Sequence, residues 1–395
     1  MSTKSAIVLL GIFLTSALWT QSDSQLQIDV YLHPWPGEAQ AAVNLTFDDA
    51  YPSHLTTAAP LLEEHGFRGT FYLIVDKLFQ RGKYRHAPSA AIEMWQAASR
   101  RGHEMGSHTV THSPLDTLDQ NQMLGELRAS REALEEIFPG VRIVSLSYPF
   151  SRTNAQVRAL AASLYTSGRL GPPPAGDSLH HDPSRADLLE LHSLFLCSGE
   201  SPALWNDAVD RAVQDRGWLI ETLHPLDEEG HCQVHAADFA SHLAYLSSLA
   251  GRIWVAPVAE VVARIAEWRG FEIVIVAQSA REIALQWAGI PPAADDWQVN
   301  VNIAQPQTWQ VVDRRGRQLS ARVQNDLLRF AWPARQSAIW LEKDQRSTFV
   351  TSASWGQLKR GDHSGRRVRR SGASGSDPVK GIHRYGGEHH RQEVK

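Results

Sequence analysis

Between residues 41 and 268 one unit recurs: a short apolar run, a polar turn, then an amphipathic stretch long enough for a helix. "AAVNLTF" (41–47) leads into "SHLTTAAPLLEEHG", where Ser53 is placed to cap a helix and Gly66 to end it. "GTFYLIV" and "SAAIEMWQAASRRG" repeat the pattern, and a longer helix is expected from Asp119, with Met123, Leu124, Leu127, Leu134 and Ile137 as its apolar stripe. "IVSLSYPF", "GWLIETLH" and "GRIWVAP" read as further strands, and "DFASHLAYLSSLAG" and "VAEVVARIAEWRG" as further helices. Strands separated by helix-length connections can only pair in parallel, with the helices crossing over the sheet. The stretch is roughly 220 residues, which suits an α/β barrel.

Past Gly270 the period shortens. "EIVIVAQ", "IALQWAGI", "WQVNVNI", "WQVVD", "LRFAW" and "AIWLEK" are short, alternating and rich in Trp, the pattern of a small β-rich domain over residues 269–345. Its Trp side chains offer faces for stacking on sugars, or simply fill a sandwich core. At the other end, Lys4 precedes the apolar run Ala6–Leu18 and polar "TQSDSQ" follows, an export signal over residues 1–24 with cleavage near 17–24. The barrel is thus expected over 25–268, with no stable membrane span once the signal is cleaved, and the product secreted or periplasmic. Residues 346–395 carry an excess of Lys and Arg and no apolar periodicity, a basic disordered tail. The chain has a net charge of −4, so the remainder is more acidic still, which argues against a nucleic-acid partner. Two cysteines, Cys197 and Cys232, either pair outside the cytoplasm or stay free.

Two adjacent carboxylates, Asp48 and Asp49, end the first strand. In a parallel barrel that is the rim where active sites gather, although Asp is also a common turn former. About sixty residues on, "GHEMGSHTVTH" sets His108 and His112 four apart. Two histidines and a carboxylate suit zinc or another divalent first-row metal and leave positions open for water and substrate. A cation would also offset the repulsion within the Asp pair. The spacing differs from the helical HExxH, since Thr109 stands at the glutamate position and the β-branched residues 109–111 run into Pro114. Two satisfied structural histidines are the plainer alternative.

"TFDD", "HGFRGTFYLIV", "GHEMGSHTVTH" and "LIETLH", in that order, resemble the NodB-homology polysaccharide deacetylases, carbohydrate esterase family four. The resemblance covers roughly residues 40–265. It implies a distorted (β/α) barrel and metal-dependent removal of acetyl groups from sugars, usually the N-acetyl of N-acetylglucosamine. Carried over, Asp48 is the general base, Asp49, His108 and His112 the metal ligands, and His224 the general acid. The family's third motif often carries an arginine paired with the base, but "LSYPFS" puts Ser147 there; Arg142 or Arg152 might substitute in space. Tyr148, Pro149 and Phe150 fit a groove wall, and the Tyr148 N–H an oxyanion site. The aspartate that tunes the acid histidine is not recognisable, and Asp177, Asp182 and Asp187 are unranked candidates. "HHD" at His180–Asp182 reads as solvated loop rather than a second metal site.

These features point to an exported, metal-dependent deacetylase acting on an acetylated polysaccharide or oligosaccharide. An O-acetyl esterase of xylan type, a sugar-binding pseudoenzyme and a non-haem iron oxygenase remain as alternatives.

Overall fold

A computed structural model describes residues 26–289, 297–333 and 336–344. The export segment and the basic tail expected from sequence lie outside the described residues.

Strand β1 (Ile28–Leu32) precedes the parallel sheet, which is built from β2 (Ala41–Asp48), β3 (Thr70–Leu73), β4 (Glu104–Ser107), β5 (Ser145–Ser147), β6 (Ser167–Arg169), β7 (Leu194–Phe195), β8 (Trp218–Leu223) and β9 (Ile253–Val255). The order is β6-β5-β4-β3-β2-β8-β7, with β9 also on β2. All eight residues of β2 are buried, as a strand covered on both faces requires. One edge of β2 pairs with β8 over Ala42–Phe47. The other is shared, β9 taking Ala41–Val43 and β3 taking Thr46–Asp48, which is where the barrel is distorted. Between β6 and β7 the gap is bridged by backbone bonds from Leu170 N to Leu191 O (2.7 Å), Leu191 N to Gly168 O (2.9 Å) and Ser193 N to Gly171 O (3.2 Å). Gly168 is required here, because a Cβ at that position would run into the Tyr148 ring.

Helices cover the sheet. The one spanning Gln120–Ile137 starts on a capping box in which Asp119 accepts from the Gln122 backbone and the Gln122 side chain accepts from the Asp119 N–H. Met123, Leu127, Leu134 and Ile137 of the expected stripe are buried, each such burial worth about 1.5–3 kcal/mol, whereas Leu124 is only partly buried and Ser130 joins the buried face. Ser53 behaves differently from expectation. Its hydroxyl accepts from Leu226 N (3.0 Å) instead of capping, and the helix Ala59–Glu64 is entered through a π-turn, His54–Ala58.

The remaining strands are β10 (Phe271–Gln278), β11 (Glu282–Gly289), β12 (Gln298–Ile303), β13 (Trp309–Val312), β14 (Ala321–Gln324), β15 (Leu327–Ala331) and β16 (Ala338–Lys343). They form two antiparallel sheets, β10-β11-β16-β13 and β1-β12-β15-β14, over a shared core that contains Trp287, Trp297, Trp309 and Trp332. These four indoles are therefore core residues, and the stacking role considered for them does not hold. Strand β1 falls inside the stretch assigned to the barrel, yet it pairs with β12 from Ile28↔Ile303 to Leu32↔Val299, covering an otherwise open sheet edge.

Candidate metal centre and catalytic rim

The carboxyl ends of β2, β4, β5, β6 and β8 converge on one rim, and each delivers a functional group there. β2 ends in Asp48 and passes into Asp49, which sits in the left-handed region at φ 73°. After β4 come His108 and a turn in which Thr109 (φ 67°) and His112 (φ 56°) are also left-handed. Such conformations cost on the order of 1–3 kcal/mol each for residues with a Cβ, so the turn must be held. Glu126 holds it. From the helix Gln120–Ile137 it accepts from Val110 N and Thr111 N (2.9 Å each) and from the Thr111 hydroxyl (2.7 Å), while His112 N donates to Thr109 Oγ1 (3.1 Å).

The result brings the three expected ligands together. Donor atoms of Asp49, His108 and His112 lie within 4.8 Å of one another, the one such cluster among the described residues. His108 Nε2 is 3.5 Å and His112 Nε2 3.6 Å from Asp49 Oδ1. His108 Nδ1 is 2.8 Å from Ser147 O and donates to it, which leaves the Nε2 lone pair facing the cluster. Burial, then the neighbouring His108, pushes His112 down to about 3, so its imidazole is neutral, the form a metal binds. The donor set therefore fits a divalent cation.

Asp48 is buried beside this cluster, 3.7 Å from His108 Nε2. Its counter-charge is Arg169, at the end of β6, which hydrogen-bonds Asp48 Oδ2 and Ser147 Oγ through Nη2 and Ser193 Oγ (3.1 Å) through Nη1. Ser147 Oγ also donates to Asp48 Oδ2 (3.2 Å). Burial by itself would raise the Asp48 carboxyl, but the Arg169 guanidinium, with His108 and His224 beyond it, holds it well below the usual carboxylate range. Arg169 thus takes the place expected for Arg142 or Arg152. Arg142 is exposed, and Arg152 is bonded to Asp116 (3.0 Å).

His224 follows β8 and is buried. Burial lowers it while Asp48 and Asp49 pull it back up. His54 Nε2 is 2.9 Å from His224 O, and His54, pushed down to about 3 mainly by burial, is a neutral donor to that carbonyl. The Nδ1 atom of His224 has no hydrogen-bond partner among the described residues. None of the three candidate aspartates reaches it in this structure: Asp182 caps Ser184 and pairs with Arg185, Asp187 accepts from Leu189 N, and Asp177 is exposed. The neighbour of His224 is His231, ring centres 4.8 Å apart, on a loop pinned by a disulfide between Cys197 and Cys232.

Two groove expectations need correction. The Tyr148 N–H donates to Arg169 O (3.0 Å) and its hydroxyl to Leu189 O (3.0 Å), so neither faces an oxyanion, and with Pro149 it is buried in the sheet. Phe150 alone projects, 59% exposed at φ 58°, its ring 4.5 Å from that of His112. At "HHD", His180 meets Asp215 and His181 the His192 carbonyl, which makes it a structural loop.

Fold and rim together define a distorted parallel α/β barrel with a two-histidine, one-carboxylate centre. Comparison with known proteins points the same way: residues 37–167 match the polysaccharide deacetylase model, the family that the sequence motifs resemble. A gellan lyase from Bacillus sp is 25% identical over 285 residues, 67% of this chain and 11% of the lyase. YxkH of Bacillus subtilis (strain 168), assigned as a polysaccharide deacetylase, is 26% identical over 133 residues, 34% of this chain and 44% of that protein. The chain thus spans less than half the length of either relative. Among solved structures, the Xyl-CE4 domain of a multidomain xylanase from the hindgut metagenome of Trinervitermes trinervoides matches at 18% identity and TM-score 0.40, covering 58% of this chain and 92% of that one.

Proposed function

We propose that the protein is a metal-dependent deacetylase of acetylated saccharides, acting most readily on the N-acetyl group of N-acetylglucosamine units, and that it works outside the cytoplasm. The observation that carries this reading is the pairing of a two-histidine, one-carboxylate cluster with an ionised buried Asp48 beside it. A divalent cation held by Asp49, His108 and His112 would polarise the acetyl carbonyl and bring the pKa of a water to about 7. Asp48 accepts the proton of the attacking water, and Arg169 keeps the carboxylate ionised and aimed through its bond to Oδ2. His224, held by His54 through its own carbonyl, delivers a proton to the leaving nitrogen, without which an amine does not depart. Glu126 keeps the His108–His112 turn in its left-handed geometry. Phe150 forms the exposed wall against the sugar. The disulfide supports an oxidising compartment, in line with the expected export segment.

Acetate release from chitin oligomers, acetylxylan and peptidoglycan, with and without chelator and after zinc is restored, tests the reading. Release confined to acetylxylan would make the protein an O-acetyl esterase instead. Activity undiminished by chelation, with no metal in the purified protein, would refute the metal chemistry.

A further inference from the structure

At the amino end of β2, opposite the catalytic rim, the β region meets the barrel in a small, open polar cleft of about 70 Å³. Its floor is set by sheet register. Tyr31 of β1 stands opposite Asn300 of β12, Asn300 opposite Arg329 of β15, and Arg329 opposite Arg322 of β14. Two arginines directly opposite on adjacent strands repel, an arrangement that destabilises a sheet unless something neutralises it. A third guanidinium comes from Arg216, the left-handed residue (φ 53°) that ends the helix Pro202–Asp215. Its Nη1 donates to His33 Nε2 (2.9 Å), so that ring is an acceptor and brings no charge.

One carboxylate, Glu38, faces these three cations, pairing with Arg322 and lying 3.8 Å from Arg329. The Nε of Arg329 is buried without a hydrogen-bond partner, although its Nη1 reaches Gln324 (3.2 Å). Among the residues that line the cleft Arg216 and Arg329 stand against Glu38, an excess of one positive, and Arg322 on the adjacent strand draws on that same carboxylate. Guanidinium forks match planar and tetrahedral oxyanions in geometry as well as charge. The amide side chains of Gln298, Asn300, Gln324 and Asn325 line the same space and offer donors and acceptors for hydroxyl groups. Among the described residues the lining itself holds no Phe, Tyr or Trp, and Tyr31 beneath it meets the His33 ring edge-on at 5.3 Å between centres.

We propose that this cleft is a binding site for an acidic glycan, one bearing carboxylate or phosphate groups, with Arg216 and Arg329 as its anion-binding residues. The site is separate from the catalytic centre. Gln40 lines the cleft and Asp48 ends the same strand, a span on the order of 25 Å. It would hold the polymer while the rim acts on acetyl groups elsewhere. The carbohydrate part of this proposal rests on the deacetylase reading; the anion part does not.

Calorimetric titration of the full chain tests it, with a galacturonate trimer, a sugar phosphate, neutral cellotriose and inorganic phosphate as probes. The trimer or the sugar phosphate should bind at least tenfold tighter than cellotriose and more weakly as salt rises, and which of the two binds names the anion. Arg329→Gln and Arg216→Asn should each lose tenfold or more, whereas Glu38→Gln, which removes the competing carboxylate, should bind several-fold tighter. Melting curves of the two arginine variants and acetate release of all three should stay as in the wild type, while Glu38→Gln, which leaves Arg322 and Arg329 facing each other uncompensated, should melt somewhat lower. The proposal fails if cellotriose binds as well as the acidic probes or if no probe binds. It also fails if both arginine variants keep full affinity, which would assign binding to the basic stretch after residue 345, or if inorganic phosphate alone binds, a site for free anions only. Binding that follows the variants in a protein releasing no acetate would overturn the deacetylase reading and leave the anion site standing.

Discussion

Replacing Arg169 by Met should convert Asp48 from a base into an acid. Asp48 is 4% exposed and Arg169 2%, so solvent cannot substitute for the lost guanidinium. Breaking a buried pair by removing one partner costs on the order of 3–5 kcal/mol, because an uncompensated charge is left behind. The protein can avoid most of that by protonating Asp48. Burial already pushes this carboxyl upward, and with Arg169 gone His108, His224 and the Ser147 hydroxyl are left to oppose it. The sign of the pH dependence follows. In the wild type the depressed carboxyl stabilises the fold at all pH values above the ordinary carboxylate range, and that contribution is lost only as pH falls through the lower folded-state value. In the variant the folded form holds a proton that the unfolded chain releases, so stability should decline as pH rises past the ordinary value. The acid limb of kcat/KM should move up past neutral pH, and turnover at neutral pH should fall about 10²–10³-fold, within the range for a lost general base. Arg169→Lys keeps the charge but not the fork that reaches Ser147 and Ser193, and should lie between the two. The assay is a pH–rate profile on a chitin oligomer, with near-UV spectra and melting to establish folding. A folded Arg169→Met enzyme with wild-type turnover and an unmoved acid limb would refute the reasoning.

Asp48→Asn should retain stoichiometric zinc and lose about 10²–10⁴ in turnover, while Asp49→Ala and His112→Ala should lose the metal and recover partly at high zinc; metal content and turnover on purified variants decide. His224→Ala should cost about 10²–10⁴ on amides and much less on activated esters, and equal losses on both would assign the residue to support alone. Phe150→Gly relieves a positive φ and should gain about 1 kcal/mol in denaturant unfolding while raising KM for oligosaccharides, unless the ring touches no substrate. Cys197→Ser leaves a 35-residue separation unclosed and should cost about 2–4 kcal/mol, measured by unfolding with and without reductant.

How much of this was legible in the sequence depended on whether a residue announced itself locally. Much of the parallel sheet did, because β2, β3, β8 and β9 are largely apolar runs. Asp48, Asp49, His108 and His112 did too, because they crowd into two short segments. Strand β1 did not: its pairing to β12 joins residues 28–32 to 299–303, and nothing in five residues shows a partner so far along the chain. Glu126 was equally hidden. On a helix it reads as one more solvent-facing carboxylate, and only the fold turns it onto the N–H groups of residues 110 and 111.

Arg169 shows the limit most sharply. In sequence it opens the Pro/Gly-rich stretch 169–187 and looks like the first residue of a loop; in the structure it is the last residue of β6, a strand of three residues, SGR, with almost no β signal of its own. What makes it a strand is its neighbours, β5 on one side and residues 188–193 on the other. The substitution at Ser147 is coupled to this placement. An arginine at the end of β5 would occupy the space that the Arg169 side chain crosses to reach Asp48, whereas serine leaves that space open and adds its own hydroxyl to both partners. The base therefore keeps its guanidinium although the charge comes from the adjacent strand, and a reading that searched only the third motif could see the vacancy but not the residue that fills it.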